Sequence, residues 1–320
     1  MNNDTRCNVQ ASDLIVASVI ICAHNPKEKY LKRVLEALEA QTFDRKHWEL
    51  LLVDNGSEEI LERKWNISWH PAGRHIREDK LGLSWARRRG IRDSKGEVLI
   101  FIDDDNVLPP SYLKTAVQLG NEWPILGAWG AGAIVPEFES EPAEHLEDLI
   151  AFLALRDLSR PHWTNVLPPC IEATPWGAGL CVRRALADAY CNLSSGDKVS
   201  ITGRRGKLLL GGEDDDICYT ACSLGMGVAT FPALRLTHLI PKERISEAYL
   251  IKLVEGAMLS KMLLVHKWFG TTPSPFSMKS MLALVYHVIM TRGLDRRKYI
   301  AWWRAARGAK RIIQKGAPGS

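Results

Sequence analysis

The sequence predicts an α/β fold with a mostly parallel, Rossmann-like central sheet flanked by helices. Three apolar segments rich in Val, Leu and Ile are typical of strands buried on both faces. They lie within Ala17–Ala23, Glu49–Ser57 and Glu97–Asn106. Helical patterns separate these segments, and the alternation of strands with helices indicates βαβ units and a parallel sheet.

The first helix follows the first strand directly. Asn25 can cap a helix and Pro26 fits a first turn, so we expect the helix to begin near these residues. Its sheet-facing residues recur at helical spacing: Tyr30, Leu31, Val34, Leu35 and Leu38. A second helix carries apolar or small residues on one side and arginines on the other: Leu83, Ala86, Gly90 and Ile91, against Arg87, Arg88, Arg89 and Arg92.

Each of the three predicted strands ends in polar residues. His24-Asn25 follows Ala23, Asp54-Asn55 ends the second strand, and Asp103–Asp105 ends the third. In open α/β sheets, ligands bind outside the carboxyl ends of the strands. We therefore expect these three groups to converge on one crevice.

Length and composition are those of an ordinary globular protein. The 320 residues are 46% hydrophobic and 25% charged, which argues against disorder. The first residues lack the basic start and apolar core of a signal peptide, and Met281–Met290 is too short to span a bilayer, so we expect a cytoplasmic protein. The seven cysteines are odd in number and form no CxxC pair, which favours free thiols.

Positive charge is concentrated at the C-terminal end, although the net charge is only +5. From Lys261 onward there are 12 Lys and Arg against one acidic residue, Asp295. A helical pattern puts Tyr299, Trp302, Trp303, Ala306 and Ile313 on one side and Arg297, Arg304, Arg307, Arg311 and Lys315 on the other. Such a helix is typical of peripheral contact with an anionic membrane, here the cytoplasmic face of the plasma membrane. The alternative is a solvated helix docked by its Trp pair, and no nucleic-acid module accompanies the charge.

Two acidic clusters lie about a hundred residues apart, FIDDDN at Phe101–Asn106 and GGEDDDI at Gly211–Ile217. Paired Asp oxygens at a strand end are suitable ligands for Mn²⁺ or Mg²⁺. A carboxylate in the second cluster can serve as a general base towards a hydroxyl nucleophile. A metal site together with a base predicts group transfer from a phosphorylated donor to an alcohol.

These segments resemble the family 2 glycosyltransferases, which have the GT-A fold. Six segments occur in the family's order: SVIICAHN, LLVDNGS, GLSWARRRGI, FIDDDN with its DxD motif, WGAGLCVRR and GGEDDDI with its ED motif. The last is also similar to the catalytic motif of β-1,4-galactosyltransferases. One departure concerns Arg88, which stands where the family usually has Asn after an Arg.

The resemblance implies a donor site in the first half of the chain. Asp54 is expected to accept a hydrogen bond from uracil, and the Ala23-His24-Asn25 turn to line the same base pocket. Arg87 would contact the nucleotide, and its guanidinium also suits a diphosphate. Asp103 would lie near the ribose, with Asp104 beside it. The metal ligands would be Asp105, Asp103 and His238, and an imidazole ligand favours Mn²⁺ over Mg²⁺.

The resemblance also implies a catalytic and acceptor site in the second half. Asp214 is the expected general base, and Glu213 would orient an acceptor hydroxyl or the donor sugar. The acceptor would lie against Trp176, Gly177 and Gly212. Gly211 and Gly212 suit a tight loop that approaches a sugar closely.

The region of resemblance, residues 17–270, divides into a nucleotide-binding half (17–110) and an acceptor-binding half (111–270). A tail (1–16) precedes it, and a basic amphipathic helical extension (271–320) follows. The expected function is metal-dependent transfer of a sugar with inversion of its configuration. The expected donor is a UDP-sugar, and the expected acceptor is a glycan or lipid-linked saccharide in cell-surface polysaccharide synthesis. Two alternatives stay open. One is a sugar nucleotidyltransferase, although the turn AHNPKEK after the first strand lacks the Gly-rich signature loop of that class. The other is a non-catalytic sugar-nucleotide or glycan-binding module, although both acidic clusters are intact.

Overall fold

The computed structural model describes residues 14–193, 209–271, 285–286 and 288–314. Most of the predicted N-terminal tail, residues 194–208 of the acceptor-binding half, and the first part of the predicted extension therefore lie outside the described residues, as does Lys315.

Four parallel strands form the first half of the sheet. They are β1 (Ala17–Ala23), β2 (Trp48–Asp54), β3 (Gly73–Arg77) and β4 (Val98–Asp103), in the order β3-β2-β1-β4. Every residue of β2 is buried, as its continuous apolar pattern predicts. The register pairs Ala23 with Asp54 and Cys22 with Asp103, so the polar ends of β1, β2 and β4 are adjacent.

The helices of this half are α1 (Glu28–Glu39), α2 (Leu61–Lys64) and α3 (Leu83–Asp93). The five residues of α1 predicted to face the sheet are all buried, so that prediction is confirmed. On α3, Gly90 packs so closely on the sheet that an added Cβ would lie 2.5 Å from the side chain of Ile20. Arg87, on the side of α3 that carries the arginines, is buried as well.

The second half of the sheet is mixed. Its strands are β5 (Asn106–Val107), β6 (Leu126–Phe138), β7 (Arg156–Asp157), β8 (His162–Thr164), β9 (Leu180–Arg183) and β10 (Gly227–Ile240). The sheet continues from β4 in the order β9-β6-β10-β5. β9 runs antiparallel to both of its neighbours, β4 and β6, whereas β6 and β10 are parallel. One short antiparallel strand therefore joins two parallel groups.

The remaining helices are α4 (Tyr112–Glu122), α5 (Glu147–Ile150), α6 (Arg184–Leu193), α7 (Glu213–Ser223), α8 (Glu247–Phe269) and α9 (Gly293–Gln314). Alternate residues of β1 point to opposite faces of the sheet. Val19 and Ile21 join a core under α1 and α4, whereas Ile20 joins a second core under α3, α6 and α7. The result is a sheet covered by helices on both faces, as predicted.

The C-terminal helix α9 packs on α8 through small residues. Its buried residues are Ala301, Ala305, Ala306 and Ala309. Trp302 is 39% exposed, which argues against the alternative in which the Trp pair docks the helix. Small side chains allow the two helices to approach closely, and Ala305 and Ala309 contact Leu259 and Leu263 of α8. None of the helices within the described ranges is long and apolar enough to cross a membrane.

Candidate active site

The turns after β1 and β2 are joined by hydrogen bonds at the carboxyl edge of the sheet. His24 Nδ1 lies 2.8 Å from the carbonyl oxygen of Asn55. The backbone N–H of Asn25 donates to Ser57 Oγ at 3.0 Å, and its side-chain Oδ1 accepts from the Glu58 N–H at 2.9 Å. Asn25 has a φ of +47°, a left-handed conformation that Asn tolerates better than most residues. The sequence predicted this convergence of strand ends.

Asp54, the predicted uracil contact, is held by its own turn. Its Oδ1 accepts from the Ser57 N–H at 2.9 Å, and its Oδ2 accepts from the Leu61 N–H at 3.1 Å and from Arg77 Nη1 at 2.6 Å. Burial alone would raise the pKa of Asp54, but these hydrogen bonds lower it below its ordinary value. The carboxylate is therefore ionised and fixed in direction.

Arg87 connects the two halves of the chain. Its Nη2 lies 3.7 Å from Asp103 Oδ1, and its Nη1 lies 3.5 Å from Glu213 Oε2. A Cβ on Gly177 would lie 2.5 Å from Nη2, so a larger residue there would require the guanidinium to shift. Burial would lower the pKa of Arg87, but nearby carboxylates, Glu213 first, raise it above its ordinary value. A permanent buried cation thus lies between the DxD turn and α7.

Glu213 begins α7 and is 2% exposed. Burial raises its pKa to about 7, although Arg87 and Arg88 both oppose the shift. Oε2 faces Arg87, whereas Oε1 is buried with no hydrogen-bond partner in the described part of the chain. Buried carboxylate oxygens rarely lack a partner, so Oε1 is available to a ligand hydroxyl.

Asp214, the predicted base, is only partly buried. Its Oδ2 accepts from the Gly177 N–H at 2.8 Å, and its Oδ1 accepts from the Asp215 N–H at 3.1 Å. Two backbone donors therefore orient the carboxylate. Gly212, just before the helix, has a φ of +87°, which favours glycine. Gly211 has open space around it, so no described neighbour requires glycine there.

The last acid of the cluster, Asp216, has a structural position that the sequence reasoning missed. It is 2% exposed and accepts from Lys267 Nζ at 2.7 Å and from Trp268 Nε1 at 2.8 Å. Both partners lie in the last turn of α8. The signal was the helical spacing of the cluster, because Asp216 and Glu213 are three residues apart and both turn inward. Asp215, between Asp214 and Asp216, has its pKa raised to about 7 by burial and by Asp214.

Asp105 and His238 are brought together by the pairing of β5 with β10. The register pairs His238 with Asn106, and the backbone N–H of Leu239 donates to the Asp105 carbonyl at 2.8 Å. Asp105 Oδ2 lies 3.4 Å from His238 Nε2. Asn106, a fully buried residue that the sequence reasoning overlooked, donates to Asp105 Oδ1 at 3.0 Å and orients the carboxylate.

The predicted three-residue metal set is only partly assembled. The 3.4 Å separation of Asp105 Oδ2 and His238 Nε2 suits two ligands of one divalent cation, and His238 Nδ1 is buried without a partner. Asp103 is drawn instead towards Arg87. Within the described residues, no group of three or more His, Cys, Asp or Glu side chains is arranged to hold a metal. The pair fits a metal, and further ligands would have to come from bound substrate or water.

Arg244, also missed from the sequence, lies beside this pair. Its Nη1 is 2.8 Å from Asp105 Oδ2 and 3.3 Å from His238 Nε2. The residue lies in a short 3₁₀ turn, Lys242–Ile245, between β10 and α8. Nothing in the sequence pattern links it to Asp105, because the two residues are 139 positions apart.

Trp176, the predicted acceptor platform, already has a stacking partner. The guanidinium of Arg156 lies 3.5 Å from the ring centroid and donates to the Thr174 carbonyl at 3.0 Å. Burial lowers the pKa of Arg156 to about 10, although Asp214 opposes the shift. The Trp176 side chain also packs against the core of the sheet, so a sugar would have to share the indole with these contacts. Arg156 carries no motif that would have identified it from the sequence.

The first half of the chain matches a known family. Residues 18–159 match the sequence profile of Glycosyl transferase family 2. This glycosyltransferase region includes Asp54, Arg87 and the DxD turn. It ends before Glu213 and Asp214, so these two residues lie outside the match.

Two curated relatives are glycosyltransferases of Haloferax volcanii. Glycosyltransferase AglE is 33% identical over 97 residues, which are 29% of this chain and 32% of that protein. The glucosyl-dolichyl phosphate glucuronosyltransferase is 28% identical over 131 residues, which are 40% of this chain and 41% of that protein. The chain thus spans about a third to two-fifths of the length of these relatives, within their glycosyltransferase sequence.

A solved structure shows the fold over nearly the whole chain. It is a mannosyltransferase from Pyrobaculum calidifontis in complex with GDP-Man and Mn²⁺, with a TM-score of 0.57 and 16% sequence identity. The likeness covers 93% of this chain and 86% of that one. The GT-A fold predicted from the sequence is confirmed, with a helical C-terminal extension.

Proposed function

We propose that this protein is a glycosyltransferase that moves a sugar from a nucleoside diphosphate sugar to a hydroxyl acceptor. One observation carries the proposal. A buried cation, Arg87, lies between Asp103 of the DxD turn and Glu213 at the start of α7, so that residues from two distant segments meet beyond the strand ends. The match of residues 18–159 to Glycosyl transferase family 2 and the GT-A fold support the same reaction class.

The donor would be a UDP-sugar bound in the crevice at the ends of β1, β2 and β4. Asp54 would accept a hydrogen bond from the N–H of a uracil, beside the Ala23-His24-Asn25 turn. Asp103 and Asp104 would contact the ribose and the donor. Arg87 would contact the diphosphate, since its guanidinium can donate two hydrogen bonds to neighbouring oxygens.

The cofactor in this proposal is Mn²⁺, or Mg²⁺ in its place. Asp105 and His238 would hold the metal, with Asp103 close by. When bound, the metal would stabilise the negative charge that develops on the leaving diphosphate. A nitrogen ligand from His238 favours Mn²⁺. Asn106 would keep the Asp105 carboxylate in position.

Inversion follows if Asp214 acts as the base on the side opposite the leaving group. The acceptor oxygen forms a bond to the anomeric carbon, its proton passes to the Asp214 carboxylate, and the bond from the anomeric carbon to the diphosphate oxygen breaks with its electron pair on UDP. The backbone N–H groups of Gly177 and Asp215 fix the direction of this carboxylate. Glu213 would bind a sugar hydroxyl through Oε1.

The acceptor in this proposal is a glycan or lipid-linked saccharide of cell-surface polysaccharide synthesis. It would approach Trp176, Gly177 and Gly212. The basic residues of α9 would attract an anionic membrane on its cytoplasmic face, where a lipid-linked acceptor lies. Within the proposed domain limits, residues 17–110 bind the donor, 111–270 bind the acceptor, and 271–320 form the membrane-facing extension.

A thermal-shift panel tests the donor class directly. UDP, GDP, dTDP and CMP are compared with and without Mn²⁺, because a ligand at about 100 times its dissociation constant stabilises a fold by 2.7 kcal/mol. We expect a shift with UDP that depends on Mn²⁺. The absence of any nucleotide-dependent shift at millimolar ligand would refute the transferase and favour a non-catalytic glycan-binding module.

A further inference from the structure

The guanidinium of Arg244 occupies the position of a cation in the proposed metal site. Nη1 lies 2.8 Å from Asp105 Oδ2 and 3.3 Å from His238 Nε2, the same two atoms that would ligate a metal. Nε donates to the Tyr249 hydroxyl at 3.1 Å. Burial would lower the pKa of Arg244, but Asp105 raises it above its ordinary value, so the side chain is always charged.

The backbone on either side of Arg244 is fixed. Lys27 in the loop before α1 forms an ion pair with Glu243 at 3.0 Å. The Lys242 N–H donates to Glu139 at 3.2 Å, and Ile245 is buried under α8. These contacts direct the long side chain of Arg244 into the site. Movement of the guanidinium would therefore occur by side-chain rotation rather than by opening of the turn.

A metal and Arg244 cannot use Asp105 in the same way at the same time. A metal on Asp105 Oδ2 and His238 Nε2 takes the lone pairs that now face the guanidinium, and the two positive charges repel each other. The Asp105 and Arg244 side chains are only 16% and 14% exposed, so water screens this repulsion poorly. A guanidinium displaced from Asp105 would also lose its hydrogen-bonded carboxylate partner, which is costly for a charge with so little exposure.

We propose that Arg244 competes with the divalent cation for Asp105 and His238, and that the diphosphate of the donor receives the displaced guanidinium. Metal and nucleoside diphosphate then bind cooperatively, because each supplies a charge that the other lacks. Metal alone binds weakly, since it must displace Arg244 without compensation. This inference rests on the proposed glycosyltransferase function for the identity of the nucleotide, but not for the competition itself.

The test measures Mn²⁺ binding by the loss of its free six-line EPR signal, with and without UDP or GDP. Arg244→Gln keeps much of the side-chain volume and removes the charge. We expect this variant to bind Mn²⁺ alone about tenfold more tightly than the native protein, and to lose most of the enhancement by nucleotide, since such couplings are typically 5- to 150-fold. Because such a coupling is reciprocal, Arg244→Gln should also lose most of the increase in nucleotide affinity that Mn²⁺ causes in the native protein.

Two further variants keep the test decisive. Lys242→Gln removes an exposed cation from the same turn and should leave both affinities unchanged, whereas Arg244→Lys keeps a cation and should retain weak Mn²⁺ binding. Equal Mn²⁺ affinity of Arg244→Gln and the native protein, with Lys242→Gln as reference, would overturn the competition. If neither UDP nor GDP binds the native protein, the proposed function fails, and the arm with Mn²⁺ alone still decides the role of Arg244.

Discussion

Glu213, Asp214 and Asp216 are close neighbours in sequence, yet their carboxylates meet three different parts of the molecule. Glu213 faces Arg87 and the donor crevice, Asp214 meets the backbone of Gly177, and Asp216 is bound by the last turn of α8. Successive residues of a helix point about 100° apart, since there are 3.6 residues per turn. One turn of helix thus directs three acidic side chains towards three different neighbours.

The role of Asp214 as base predicts a change in turnover without a change in donor binding. Asp214→Asn keeps a side chain that can still accept from the Gly177 N–H but cannot take a proton. We expect turnover to fall by about 10² or more, the usual contribution of a general base, while UDP affinity stays within a few fold. Asp188→Asn, on the exposed side of α6, is the control. Undiminished turnover by Asp214→Asn would remove Asp214 from this role.

The raised pKa of Glu213 predicts a pH dependence of stability. Between its ordinary value of 4.5 and about 7, the folded protein holds a proton that the unfolded chain releases. The free energy of unfolding therefore decreases with rising pH across this window, by at most about 1.4 kcal/mol per pH unit from this one group. Above about pH 7, the folded protein has released this proton too, and the stabilising contribution of the protonated Glu213 is fully lost.

Glu213→Gln should remove the contribution of this carboxyl group to the pH dependence of the free energy of unfolding. Denaturant unfolding of both proteins from pH 4.5 to 8 measures it, and the variant should gain relative stability towards high pH. Asp215 contributes in the same direction in both proteins, because burial raises its pKa as well. Parallel stability curves for the two proteins would contradict a buried, high-pKa Glu213.

At the scale of elements, α7 is positioned by α8. Besides the contacts of Asp216, the Tyr219 hydroxyl of α7 lies 3.1 Å from Lys261 Nζ, and its ring packs against Trp268 with centroids 5.8 Å apart. These contacts lie one to two turns after Asp214. The long helix α8 therefore supports α7, which carries the proposed base Asp214, from behind.

Loss of the Asp216 carboxylate should be costly. Asp216→Ala removes the acceptor of the Trp268 N–H and one partner of the Lys267 ammonium, and breaking a buried ion pair from one side typically costs about 3–5 kcal/mol. Arg297→Gln is the comparison, because it breaks an exposed pair with Glu247, for which about 0–1 kcal/mol is usual. Chemical denaturation distinguishes the two. A similar cost for both variants would mean that Asp216 does not anchor α7.

Elements with a strong local pattern were predictable, and those set by distant contacts were not. The buried strands and the sheet-facing side of α1 follow from residue spacing alone. The antiparallel direction of β9 does not, because a strand of three apolar residues and one arginine carries no pattern that distinguishes the two directions. The docking of α9 by alanines was missed because close helix packing favours small side chains over large ones, which a count of large apolar residues overlooks.

The same division holds within the candidate site. Asp54, Arg87, Asp103–Asp105 and the Glu213-Asp214 pair were predicted because they lie in contiguous motifs. Arg156 and Arg244 were not, since the short strand β7 and the 3₁₀ turn Lys242–Ile245 that carry them have no motif. The buried position of Arg87 depends on carboxylates on two other segments, Asp103 and Glu213, which the helical pattern alone does not show.

At the scale of the whole molecule, α9 gives the protein a basic outer surface. Arg304, Arg307 and Arg311 are exposed, and so is Trp302. The alanine face covers Leu259 and Leu263 of α8, so removing the helix would expose an apolar surface. Membrane contact is therefore better tested by changing charge than by truncation.

The triple variant Arg304→Gln, Arg307→Gln, Arg311→Gln should weaken binding to vesicles that contain phosphatidylserine. At about 1 kcal/mol for each basic residue near an anionic surface, three losses correspond to a reduction on the order of 100-fold, measured by vesicle sedimentation. The control removes three exposed cations elsewhere: Lys32→Gln, Lys46→Gln and Arg63→Gln. Equal weakening by both sets would indicate dependence on net charge alone and contradict a membrane-facing α9.

Gly177 links two halves of the chemistry through the side chain that it lacks. Its N–H orients Asp214, and its missing Cβ leaves space for Arg87. Any other residue there would disturb the proposed diphosphate contact and the proposed base together. In evolutionary terms, this position ties donor recognition to acceptor activation. A lineage that changes its sugar donor must then do so through the walls of the crevice, while this junction stays fixed.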